Sequence, residues 1–326
     1  MVAEVPLELL PTRATAANAL LVHIHQPEGV TMTDKDPASA LDQNADRSRP
    51  TDTVVRVGFI GLGSQGGPMA GRIIEAGFPT TLWARRSASL EQYADTSAQV
   101  ADSPAALGAS SDVVCICVVN DAGVEEVLSG ADGVLEGLAP GGIIVIHSTI
   151  HPDTCRRMEQ AARAKGIALI DAPVSGGGNA AAAGRLLVMA GGDPSVLERC
   201  RPVLTSFADP IVHLGPVGAG QVSKLLNNTL LAANFATTAS ILDVARALGV
   251  DSGRLLDVMS HGSGGSFALD VLRGAEGSLV AMADGAGTLL TKDVGLLTRL
   301  AEAADAPRGI VWDAARDALA RMGLSD

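Results

Sequence analysis

The stretch VRVGFIGLGSQGGPMAGRIIEAGF, Val55 to Phe78, limits the fold more than any other part of the chain. An apolar run suited to a buried strand leads directly into Gly61, Gly63 and Gly66, and then into a segment with apolar residues at helical spacing. In a G-x-G-x-x-G turn of this kind the first glycine allows the tight bend. The second lets backbone approach a pyrophosphate, and the third lets helix and strand pack closely. The helix N-terminus then faces the phosphates. The pattern points to a dinucleotide loop built from Gly61, Leu62, Gly63, Ser64, Gln65 and Gly66. The competing reading is a purely structural glycine turn in a chain with 37 glycines.

The end of the next apolar run bears on which dinucleotide fits. An acid there accepts from the ribose 2′-OH of NAD, whereas a guanidinium can grip a 2′-phosphate through two parallel hydrogen bonds. The sequence reads LWARRS, with Arg85 and Arg86 and no acid from Thr80 to Ser87. NADP(H) is therefore expected in preference to NAD(H). The alternative is that the two arginines form a solvated surface pair.

Further strand-like runs follow at 112–119, 142–148, 166–172, 185–192 and 210–215, with helix-like stretches between them at 151–166 and 193–207. This alternation predicts an α/β domain with a mainly parallel sheet. After Gly215 the strand signals stop, and residues 216–250 carry apolar residues at helical spacing without a break. More helical stretches follow at 251–260, 266–273, 286–303 and 307–322. The expected fold class is α/β: a Rossmann-type N-terminal domain, a long interdomain helix and an all-helical C-terminal domain. The boundaries expected are 1–52 for a polar, disordered or loosely attached extension, 53–215 for the dinucleotide-binding domain, and 216–326 for the interdomain helix and helical domain. The part beyond 251 is small for a core of its own, so it is expected to bury surface against a second subunit.

A net charge of −12 over 326 residues argues against nucleic acid or an anionic membrane as the main partner. A small anionic substrate would need a locally basic pocket. No apolar run reaches the length of a membrane span, and the N-terminus carries Glu4 and Glu8 where a signal peptide would be basic. The four cysteines have no metal-ligand spacing, and Cys115 and Cys117 would share one strand face as small hydrophobes. A reduced, cytoplasmic protein without a bound metal is expected.

Two later stretches carry chemistry. DAPVSGGG, residues 171–178, follows a strand and presents Ser175 before three glycines. Successive backbone N–H groups in such a turn form an anion nest, to which a hydroxyl adds a donor. A plain flexible loop is the alternative. QVSKLLNN, residues 221–228, holds one of only four lysines among 24 cationic side chains. On a helix, Lys224 and Asn228 stand on one face. A lysine, unlike an arginine, can lose and regain its proton when partly buried. A solvated lysine at a helix start is the simpler reading of the octet alone.

The ordered set GFIGLGSQGGPMA, HSTIHP, DAPVSGGG, GPVGAGQVSKLLNN and TKDVGLL resembles the β-hydroxyacid dehydrogenases over roughly residues 54–323. That family includes the 3-hydroxyisobutyrate dehydrogenases and tartronate semialdehyde reductases. The resemblance implies hydride transfer between a nicotinamide coenzyme and a small 3-hydroxy acid or its semialdehyde. It implies that Lys224 is the general acid and base, and that Asn228 orients substrate. Ser175, Gly176 and Gly177 match the positions that bind the substrate carboxylate, with Asp293 in the same cleft. Thr149 and Lys292 match cofactor contacts near the nicotinamide, and Val119 joins the cofactor set. A homodimer or homotetramer through the C-terminal domain is likewise implied. The chain departs from the pattern at Gln65, Ala84 and His151, and at Gly285, where an aromatic is usual; the pocket is expected to be roomier. Two other readings stand beside this one. An imine reductase-like enzyme is disfavoured by Lys224, and a catalytically silent NADP-binding regulatory module is disfavoured by the Lys224–Asn228 pair.

Overall fold

The computed structural model describes residues 54–324 except 276 and 308. The extension expected at 1–52 lies outside the described residues. Five short, largely apolar runs and one exposed pair, Gln99–Val100, become parallel strands: β1 (Val57–Ile60), β2 (Thr80–Trp83), β3 (Gln99–Val100), β4 (Val113–Ile116), β5 (Ile143–Ile146) and β6 (Ala168–Asp171). They hydrogen-bond in the order β3-β2-β1-β4-β5-β6. The order reverses between β1 and β4, where a doubly wound sheet opens a crevice at the carboxyl ends of its strands.

Every residue of β1, β4 and β5 is buried, as a parallel sheet covered on both faces requires. Alternate side chains supply two separate cores. Phe59, Cys115 and Val145 pack on one face with Met69 and Ile73. Ile60, Ile116 and Ile146 pack on the other with Leu107, Val124 and Leu128. Burying each such aliphatic side chain contributes roughly 1.5–3 kcal/mol, so both faces select continuous apolar runs. Cys117 joins the same core as Cys115, in keeping with the strand period of two.

The covering helices are α1 (Gly66–Glu75), α2 (Pro104–Ala109), α3 (Asp121–Ser129), α4 (Val134–Gly137) and α5 (Pro152–Ala164). Side chains cap several of them: Ser103 accepts from the Ala106 N–H, and Asn120 from the Gly123 N–H. His151 caps α5 by accepting from the Asp153 N–H at 3.1 Å, a local role that explains a histidine in that loop. A second sheet follows, with β7 (Val174–Ser175) antiparallel to β8 (Leu186–Ala190) and β8 parallel to β9 (Ala208–His213). Helices α6 (Gly177–Ala182) and α7 (Pro194–Leu204) connect these strands.

Helix α8 (Ala219–Ala247) has 29 residues and spans about 43 Å at 1.5 Å per residue. Its first turn touches the parallel sheet, and its later turns form the axis of a helical core. Around it lie α9 (Ser252–His261), α10 (Phe267–Gly274), α11 (Thr288–Ala303) and α12 (Ile310–Arg321). Ala232, Ala236 and Ala239 of α8 let these neighbours approach closely, around Phe235, Leu272, Leu290, Val294 and Leu319. A π-helical turn, Ala283–Gly287, precedes α11 and contains Gly285.

Candidate active site

Each glycine of the loop after β1 has a separate reason to be glycine. Gly61 adopts φ +99°, and a Cβ there would lie 2.2 Å from the Cys117 carbonyl oxygen. A Cβ on Gly66 would lie 2.0 Å from the Gly61 carbonyl oxygen, so α1 packs on the turn only without a side chain. Gly63, by contrast, has no atom within 4 Å of that position, and it faces open space. Gln65 precedes α1 without a capping hydrogen bond from its side chain, and the first turn carries no acid. The helix end and its donors are thus left to an anion.

This loop opens into a groove of about 560 Å³ lined by Gly61, Leu62, Gly63, Arg85, Arg86 and Val119, among others. The residues present fit a dinucleotide: a bare glycine edge, an uncapped helix end and cations where the ribose would lie. The two arginines differ. Arg85 pairs with Glu126, which lines the same groove, and both are well exposed. Among the described residues the Arg86 guanidinium has no partner and is the freer cation.

At the far end of the cleft α11 meets the strand ends. The Lys292 ammonium donates to the Thr149 carbonyl at 2.5 Å and to the Val119 carbonyl at 3.3 Å. Its neighbour Asp293 is buried, with Oδ1 3.4 Å from the Lys292 ammonium and without a hydrogen bond. Asp293 Oδ2 accepts from Asn228 Nδ2 at 2.6 Å. Burial raises the Asp293 carboxyl, with Lys292, Asn228 and Lys224 pulling it back down. Lys224, half-buried on the same face of α8 as Asn228, is lowered to about 8. Burial is the main cause; Lys292 adds to it and Asp293 opposes it. Thr149, Lys224, Asn228, Lys292 and Asp293 thus form one electrostatic cluster.

The SGGG turn lies beside the dinucleotide loop. A Cβ on Gly178 would lie 2.5 Å from the Ser64 carbonyl oxygen, which places Ser64 against the start of α6. Gly176 and Gly177 adopt φ of +126° and +73°, conformations that need glycine. Ser175 and Gly176 line a cavity of about 290 Å³ with Asn227, Leu231, Asn234 and Phe267. Asn227, Leu230, Leu231 and Asn234 bring α8 to its wall, while Lys224 and Asn228 are not part of its lining.

Sequence reasoning passed over the residues that fix the start of α8. Asp171 is fully buried; Oδ1 accepts from the Gly218 N–H at 2.7 Å and Oδ2 from the Gln221 N–H at 2.8 Å. Burial lifts its carboxyl to about 6 against the pull of those donors. Gln221, also fully buried, accepts from the Ile150 N–H at 3.0 Å and donates to the Ser148 carbonyl at 2.8 Å. Both residues stand in the quoted motifs, yet nothing in their spacing shows that they meet. His147 is a further buried group, lowered to about 4 by burial, whose Nδ1 donates to the Ala172 carbonyl at 2.8 Å between Phe59 and Phe207.

A sheet in this order, a glycine loop at its switch point and a lysine on a long following helix define the class: a dehydrogenase with an NAD(P)-binding domain and a helical partner. Comparison with known proteins agrees. Residues 56–215 match the model of the NAD-binding domain of 6-phosphogluconate dehydrogenase. Residues 218–322 match that described as NAD-binding of NADP-dependent 3-hydroxyisobutyrate dehydrogenase. The NAD-dependent L-serine dehydrogenase of Pseudomonas aeruginosa is 36% identical over 255 residues, which cover 76% of this chain and 86% of the relative. The 3-hydroxyisobutyrate dehydrogenase of the same organism is 36% identical over 257 residues, covering 77% and 86%. The structure of Mycobacterium tuberculosis 3-hydroxyisobutyrate dehydrogenase with L-serine superposes with a TM-score of 0.72 at 28% identity, covering 83% of this chain and 94% of that one. The chain belongs to the β-hydroxyacid dehydrogenase family.

Proposed function

We propose that the protein interconverts a small 3-hydroxy acid and its semialdehyde, prefers NADP(H), and uses Lys224 to move the proton. The observation that carries this reading is Lys224 itself: half-buried, weakened to about 8, and one turn from Asn228 beside Lys292 and Asp293. A bound nicotinamide supplies the hydride acceptor and donor. The chain's part is to hold substrate and handle the proton. The neutral Lys224 amine takes the hydroxyl proton during oxidation, and the ammonium returns it to the carbonyl oxygen during reduction. Asn228, held by Asp293, orients the substrate oxygen. Ser175 and the backbone of Gly176 and Gly177 hold the substrate carboxylate. Lys292, fixed by the Thr149 and Val119 carbonyls, lines the nicotinamide end and helps to depress Lys224.

The substrate class is supported by relatives named for 3-hydroxyisobutyrate and L-serine, both small acids with a primary hydroxyl. The coenzyme preference rests on Arg86 and Arg85 and on the absence of an acid after β2. The description of the matched C-terminal family as NADP-dependent agrees with it, while one relative is named as NAD-dependent. The test is to supply 3-hydroxyisobutyrate and L-serine with NADP+ and with NAD+, and to follow nicotinamide absorbance. A higher kcat/KM with NADP+ is expected. A clear preference for NAD+ would remove the coenzyme assignment, and no turnover with either would remove the reaction.

A further inference from the structure

Helix α3 carries three acids, and each has a different partner. Asp121 accepts from the His151 N–H at 2.8 Å, and Glu125 pairs with Arg157 of α5. Glu126 turns the other way. Ala122 and Gly123, four and three residues before it on the same helix face, line the dinucleotide groove with it. Among the described residues it is the one acid in that lining, set against the cations Arg85 and Arg86. The helix itself gives no reason for it. An acid near the carboxyl end of α3 gains nothing from the helix dipole.

The partner of Glu126 is Arg85, 41 positions earlier, so the pair joins α3 to the loop after β2 with both members in the groove wall. Their side chains are 61% and 66% exposed. Ion pairs in that setting shift an equilibrium by only roughly 1.5- to 5-fold, so this one adds little to the fold and is readily exchanged. NADP(H) and NAD(H) differ at one place in this region, the ribose 2′ position. A phosphate monoester there carries roughly −1.5 to −2 charge at pH 7, where NAD(H) has a neutral hydroxyl. One of the two guanidiniums suited to that phosphate is already held by Glu126. To use both arginines the phosphate must displace the Glu126 carboxylate and then lie near it. A 2′-OH faces neither penalty.

We infer that Glu126 sets the coenzyme selectivity by competing with the 2′-phosphate of NADP(H) for Arg85. This rests on the reading of Arg85 and Arg86 as the holders of that phosphate. Arg86, which has no partner among the described residues, attracts the phosphate, and Glu126 restrains it. The groove therefore prefers NADP(H) only modestly and still admits NAD(H). Neutralising Glu126 turns the modest preference into a strong one.

The test is Glu126→Gln, with Kd for NADPH and NADH measured by nicotinamide fluorescence at low and at physiological ionic strength. NADPH should bind about 5- to 20-fold more tightly, from the freed guanidinium and the lost repulsion together, while NADH changes by less than about twofold. The gain should shrink as salt rises, because these charges are exposed and screened. Arg85→Ala should weaken NADPH, and adding Glu126→Gln to it should recover less than about threefold, since no guanidinium is left to free. The thermal midpoint of each variant should match wild type, as the pair is exposed. A change for NADH as large as that for NADPH, no change for either, weaker NADPH binding, or an undiminished gain in the Arg85→Ala background would overturn the competition. If wild type binds NADH more tightly than NADPH, the proposed coenzyme preference falls. The ratio of the two Kd values in Glu126→Gln against wild type then still decides the role of Glu126.

Discussion

At a pKa of about 8, Lys224 is roughly one-tenth neutral at pH 7, against about one part in three thousand for a lysine near 10.5. That difference decides whether it can act as a base. Because the neutral form accepts the proton, kcat/KM for oxidation should rise with pH and level off above about 8. Because the charged form donates it, reduction should fall as pH passes the same value. Lys224→Arg keeps the charge but cannot exchange the proton, so turnover should drop about 10²–10⁴-fold while coenzyme affinity changes little. An arginine variant with near wild-type turnover and an unchanged pH profile would end the assignment. The rarity of lysine and the i, i+4 asparagine make Lys224 visible in the sequence. Its lowered pKa is not, because burial and the approach of Lys292, 68 positions away in the sequence, are products of folding.

Among the elements, α8 shows how the side chain proposed to carry the proton is placed from outside its own helix. Asp171 and Gln221 tie its first turn to the ends of β5 and β6 through four hydrogen bonds between fully buried groups and backbone. The glycine loop shows division of labour within one turn, and two substitutions separate its parts. Gly63→Ala places a methyl in open space, so stability should stay within about 0.5 kcal/mol while coenzyme Kd rises at least tenfold by blocking the backbone edge. Gly66→Ala drives a methyl into the Gly61 carbonyl, and it should cost about 1–3 kcal/mol as well as coenzyme binding. Denaturant titration and coenzyme titration on both variants check this; equal stability losses would refute the distinction. The four-residue parallel strands and the longer helices are legible as apolar runs or as helical periods. β3 and β7, two residues each, are too short to carry a period, and only their partners define them.

For the molecule as a whole, one face of α8 is left uncovered by the described residues. Leu226, Leu230, Ile241, Val244 and Leu248 are exposed and, at 100° per residue, lie within about 60° of one another on the side away from Lys224. We expect this stripe to be covered by a second copy. Ile241→Glu with Val244→Glu should lower the solution mass measured by sedimentation, and an unchanged mass would show that contact lies elsewhere. The chain's own sequence determined the doubly wound domain, the glycine loop and the chemistry-bearing motifs, because strand runs, helix period and turn glycines are local properties. Only the tertiary structure decided which of those residues meet. Lys292 reaches Thr149, Asp171 holds the start of α8, and Ser64 meets the start of α6 at Gly178. Each is a contact between segments distant in sequence or a strand register, set by how layers pack and not by any residue's neighbours along the chain.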